Sequence, residues 1–239
     1  MMLRLIALGS TLSTDKAKEY CMQGVARRLG TLTRCIENIY RIFPINRTQL
    51  LPREDLLDLG INLHAFMVNI SGLFDNLAWV YAFENDLVGD RKDGKLHRNS
   101  IGLFSRDFQQ RLPDPLSVYL QSDHLGEWFA EYSKNYRDAV AHRIPLYVPP
   151  SILTGEAQKR YLELEAQIQD LDLTQLGNLE LYRKILDEQK LLGKASPLFV
   201  HSTSEIGRPM YIHAQVLADY ATVEEVVSKF CDHFQSQKP

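Results

Sequence analysis

The side chains best suited to chemistry in this 239-residue sequence lie in one short stretch: Arg137, Asp138 and His142, with Lys134 and Arg143 beside them. A guanidinium binds a phosphoryl group through directional donors and steadies the negative charge that develops on it. An imidazole titrating near neutrality can take a proton from a ribose 2′-hydroxyl or return one to a departing 5′-oxygen. The pair is equipped for phosphodiester cleavage without a metal. Asp138 and His142 are four residues apart, so on a helix they share a face and can pair, favouring the imidazolium. Arg137 and His142 are five apart, about 7.5 Å along a helix axis and roughly 140° around it. They do not stack, but a long arginine can reach around to a phosphate beside the histidine. One histidine cannot stand on both sides of an in-line displacement; a second, from a twofold-related copy, solves that geometry. On spacing alone the bland alternative is a salt-bridged surface arginine and a histidine satisfying the last carbonyls of a helix.

Other candidates carry less. His201 and His213 flank a turn and could approach each other, but no third ligand is evident, so no metal is expected. Asp90, Asp93 and Gly94 superficially suggest a calcium loop, yet the alternating acidic ligands and closing glutamate are missing. Ser71-Gly72 lacks the context of a nucleophile elbow, and no phosphate-binding or dinucleotide glycine motif occurs, so no cofactor is expected.

The elements that must position these residues read as helices. From 122 to 143 the pattern is amphipathic, with Ser122 or Asp123 at the start and Pro145, Pro149 and Pro150 enforcing the stop. Leu125, Trp128, Phe129, Tyr132, Tyr136, Ala139 and Val140 offer its packed surface. Upstream, helical spacing runs from about Thr14 to Phe43, with Gly24 and Gly30 as costs and Pro44 as the stop. The clearest helix follows Pro52: Leu56, Leu63, Ile70 and Leu77 recur every seven residues beside Leu59, Phe66, Leu73 and Val80. Asn62, Asn69 and Asn76 form a third series, able to line a cleft, satisfy one another across a dimer interface, or face water. Shorter helices are expected over Ser100–Arg111 and Leu116–Leu120, with longer ones over 154–169 and 171–193. A hairpin turning at 206–209 is expected within 198–213. A capping box at Thr222 to Glu225 should start a terminal helix. This is an all-α fold: a bundle over 1–193, with a hairpin and helix over 194–239 packed as an appendage.

Composition sets the class. An apolar fraction of 45% beside 24% charged residues suits a globular domain with a sizeable core. The net charge of −3 argues against a surface coated with phosphate-binding residues, while allowing a local basic cleft. Cys21, Cys35 and Cys231 are odd in number and unclustered, which fits a reducing cytoplasm. No run reads as a membrane span, because Asn62, His64, Asn69, Asp75 and Asn76 interrupt the most apolar region.

The segment Asn135-Tyr-Arg137-Asp138-Ala-Val-Ala-His142 resembles the HEPN superfamily, which carries an arginine, a polar residue and a histidine at this spacing on a helical bundle. The resemblance covers residues 14 to 143, extends to the helices through 193, and says little of 194–239. It implies four or five bundled helices, frequent homodimerisation, and metal-independent endoribonuclease activity in the catalytic members, some of them toxin or defence proteins with an antidote partner. Arg137 would bind phosphate, His142 would act as general acid or base, and Asp138 would hold the polar position where many catalytic relatives carry asparagine. Asn69, Asn76, Lys134 and Arg143 are candidates to line the cleft. Noncatalytic members imply the alternative: a module that binds RNA, nucleotide or protein.

Overall fold

The longest apolar pattern makes the longest helix. In a computed structural model describing residues 1–90, 94–201 and 209–236, Arg53–Glu84 is one 32-residue helix, α3. Pro52 stands at its N-cap, and Glu54 and Asp55 occupy the first turn, where negative charge meets the positive end of the helix dipole. Both seven-residue stripes are spent on neighbours: Leu59, Leu63, Phe66, Ile70, Leu73, Leu77 and Val80 are buried. By length and composition alone α3 could cross a bilayer, contrary to the sequence expectation. Its apolar stripes are instead covered by helices of the same chain.

Two shorter rods precede it. α1 is Met2–Thr11, tied to the far end of the chain by Arg4, which donates to Ser228 and pairs with Asp232. α2 spans 15–42 and lies along α3. Thr14 caps it by accepting from the Ala17 N–H, and it ends at Phe43, before Pro44, as expected. Within α2, Tyr20–Val25 is a π turn, in which the Ala26 N–H reaches back five residues to the Cys21 carbonyl. Gly24 lies in it and permits close packing, since a Cβ there would come 2.8 Å from Asn76. Gly30 faces open space and has no such reason.

Beyond α3 the expected helix over Ser100–Arg111 shrinks. A 3-10 turn at Arg98–Ser100 and the single-turn helix α4, Arg106–Gln109, leave residues 101–105 as a loop pinned by buried Ile101 and Leu103. Helix α5 is Asp114–Leu120, and α6 spans 123–142, following Ser122, whose side chain makes no capping bond. α7 (Glu156–Gln169) and α8 (Asn178–Leu192) form an antiparallel pair, each entered through a glycine with positive φ, Gly155 and Gly177. The expected helix over 171–193 therefore loses its first seven residues, about two turns, to the connection before Asn178. Strands β1 (Leu198–Phe199) and β2 (Met210–Tyr211) pair antiparallel, as the hairpin pattern predicted; the turn at 206–209 lies, except for Pro209, outside the described residues.

The last helix, α9, departs most from expectation. It is continuous from Ile212 to Ser236, so Thr222 stands mid-helix with its hydroxyl bonded to the Ala218 carbonyl, not at a cap. Ile212, Val216, Val223, Val226, Val227 and Phe230 are fully buried, in one cluster with the cores of α1, α2 and α3. The fold is mainly helical, with nine α-helices among the described residues packed antiparallel and one two-stranded sheet near the C-terminus.

Candidate functional site

Helix α6 carries a second π turn, Trp128–Ser133, where the Lys134 N–H reaches the Phe129 carbonyl. One inserted residue rotates everything after it by about 100° around the axis. Tyr136 and Ala139 consequently turn into the core, and Lys134 and Arg137 face a cleft of about 410 Å³ between α6, α3 and the 99–105 loop. Trp128 and Phe129 pack half-buried against that core; the Tyr132 side chain lies outside the described residues. Phe129 stacks flat on Phe104 of the loop, with centroids 3.8 Å apart, and Phe74 of α3 meets Phe104 edge-on. This aromatic wall holds the loop in place.

Arg137 is the most telling residue of the cleft. Its Nη1 lies 3.1 Å from an Asp138 carboxylate oxygen, while its Nε is buried with no protein acceptor. Asp138, about one-third exposed like Arg137, therefore pairs with its neighbour in sequence rather than with His142. Across the cleft, α3 presents Ser71 and Asp75 one turn apart. Asp75 is open to solvent at the cleft mouth, yet the surrounding walls strip enough water from its carboxyl to raise its pKa, against the opposing pull of the Arg137 and Arg28 guanidinium groups.

The structure separates the sequence candidates into three groups. Arg137 and Lys134 line the cleft with Asp75. His142 is exposed in the last turn of α6 and is not part of the cleft lining, and Arg143 folds back to donate to the Asn135 carbonyl and side chain. Asn69 and Asn76 belong to a different groove, beside α2, where their side-chain oxygens accept from Arg28 at 2.9 and 3.0 Å; Asn62 similarly accepts from Asn38. The asparagine series thus faces α2.

The remaining histidines are structural or apart. His64 and His213 each donate through Nε2 to a backbone carbonyl, of Leu146 and Phe43 respectively, both at 2.6 Å. His213 packs against Tyr40, and His201 against Tyr136. No group of three or more potential ligands for a metal occurs among the described residues. Asp75 was overlooked in the sequence. Its signal was a carboxylate interrupting the most apolar helix, next to Phe74.

Compared with family models, curated proteins and solved structures, the chain matches none.

Proposed function

We propose that this protein binds a phosphodiester, in the manner of a HEPN-like RNA-binding module, with Arg137 and Lys134 gripping the backbone in the α3–α6 cleft. The observation that carries this reading is the buried Arg137 Nε without an acceptor, at the wall of an open cleft. A buried donor of a charged group is costly to leave unsatisfied, and a phosphate oxygen meets that demand with a charge-assisted bond. Asp138 occupies only one end of the guanidinium, so the arginine retains donors for a ligand.

A second reading, metal-independent endoribonuclease, has one observation in its favour. His142 is exposed at the end of the helix that carries Arg137, free to enter the cleft of a second copy. In that arrangement Arg137 stabilises the phosphoryl group of one site, and His142 of the mate moves the proton of the 2′-oxygen or the leaving oxygen. Within a single copy, the cleft grips and does not cleave.

Fluorescence anisotropy of a labelled single-stranded RNA, followed by gel analysis of the same samples in excess chelator, tests both readings. Arg137→Ala and Lys134→Ala are each expected to weaken binding at least tenfold, with affinity falling steeply as salt rises. His142→Ala should bind as the parent does. Cleavage products lost in His142→Ala add the nuclease activity; RNA that stays whole removes it. Absence of RNA binding at low salt removes the proposal itself.

A further inference from the structure

On another face of α3, about 140° around its axis from the Arg137 cleft by helix geometry, lies a groove of about 470 Å³ built around Arg28. Asn69 donates its amide N–H to the Ala65 carbonyl one turn back, at 2.7 Å, which fixes its oxygen toward α2. That oxygen and the one on Asn76 accept from Arg28 Nη1 and Nε. Gly72 supplies the floor: a Cβ there would come 2.4 Å from the Arg28 Cζ, so the guanidinium lies flat on the helix backbone only because residue 72 has no side chain. The groove wall is the π turn of α2, which contributes Tyr20, Gln23 and Gly24, and Arg27 follows on the rim.

This arrangement orients a cation without neutralising it. Both acceptors are neutral amides, which use two of the five guanidinium donors. Among the described residues Arg28 forms no ion pair; the carboxylates nearest in character are Asp75, whose field it feels, and exposed Glu19 at the groove end. A purely structural clamp between two helices has no need of a second arginine at the rim, a glycine floor and an Asn69 amide pre-set by its own backbone.

We infer that this groove binds the phosphate group of a small phosphorylated ligand, with Arg28 as the fixed fork and Arg27 as the second cation. Forked arginine donors match phosphate oxygens bidentately, and the volume lies in the range of small-molecule sites. The site is independent of the RNA-binding proposal, because it shares no lining residue with the Arg137 cleft.

The test is isothermal titration of the full chain with inorganic phosphate, adenosine 5′-monophosphate and adenosine, together with thermal denaturation in each. Both phosphates should bind saturably and raise the melting temperature with concentration, and adenosine should do neither. Arg27→Ala, at an exposed position, should weaken phosphate binding about tenfold while leaving the fold intact. Gly72→Ala should weaken it comparably by displacing the Arg28 guanidinium, and Arg137→Ala should leave it unchanged. Failure of the wild-type chain to bind either phosphate, undiminished binding in Arg27→Ala and Gly72→Ala, or loss of binding in Arg137→Ala would each overturn the inference.

Discussion

Asp219 shows how one buried acid couples two helices. Its carboxylate on α9 accepts from the Trp128 indole N–H of α6 at 2.8 Å and from Gln215 at 2.7 Å. Burial pushes its pKa up to about 6, and those two donors pull it only part of the way back. The folded protein therefore holds this proton more tightly than the unfolded chain does. Stability from this group is full below about pH 4 and declines as pH rises through about 6, by roughly 2–3 kcal/mol in all. Asp219→Asn keeps the acceptor oxygen and removes the ionisation, so the difference in unfolding free energy between variant and parent should grow in the variant's favour from pH 4 to 7. A constant difference across that range in urea denaturation would contradict the assignment. Asp75 calls for a comparison at the cleft: Asp75→Asn removes a carboxylate facing Arg137 and should raise RNA affinity several-fold at low salt, as measured by anisotropy. Weaker binding would mean that the carboxylate positions the arginine. Residue type revealed Arg137 and Lys134 in the sequence, because both stand on a readable helix. Arg28 and Asp75 were hidden, because their importance comes from what packing brings beside them.

At the scale of elements, periodicity disclosed what repeats and missed what interrupts. The stripes of α3 were legible because seven-residue recurrence of large apolar side chains has one simple solution, burial against neighbouring helices. Neither π turn was legible. An inserted residue leaves no composition signal, yet the one in α6 sets which way Arg137 points; the Asp138–His142 pair, on regular α-helix, is missing because Asp138 pairs with Arg137. The false cap at Thr222 has a local cause, since Thr-x-x-Glu within a buried helix satisfies its hydroxyl on the preceding turn. The α7–α8 pair was seen as helices but not as a separable excursion. Its buried residues Leu164 and Ile185 stand outside the main core cluster, and Ile152 and Lys194 exchange both backbone hydrogen bonds at its base. Replacing residues 153–193 by a short turn should leave the bundle folded, with a melting temperature within several degrees of the parent by calorimetry. Truncation before Ile212, which strips seven fully buried apolar side chains from the core, should abolish the cooperative transition. A shortened chain that unfolds as readily as the truncated one would show that the α7–α8 pair is integral to the bundle.

For the molecule as a whole, the two grooves share a design. Each opens beside a π turn, each places an arginine against α3, and Asp75 feels both guanidinium groups. A protein of net charge −3 has no general attraction for polyanions, so recognition has to come from these local fields and should be strongly screened by salt. The most direct measurement is the Arg137 Nε–H resonance in a ¹H–¹⁵N spectrum as a short RNA is added. The account predicts that this resonance shifts and becomes protected from exchange in step with binding, with Arg28 unaffected. An Arg137 resonance that stays unchanged while RNA saturates the protein would place the phosphate elsewhere and refute the central claim.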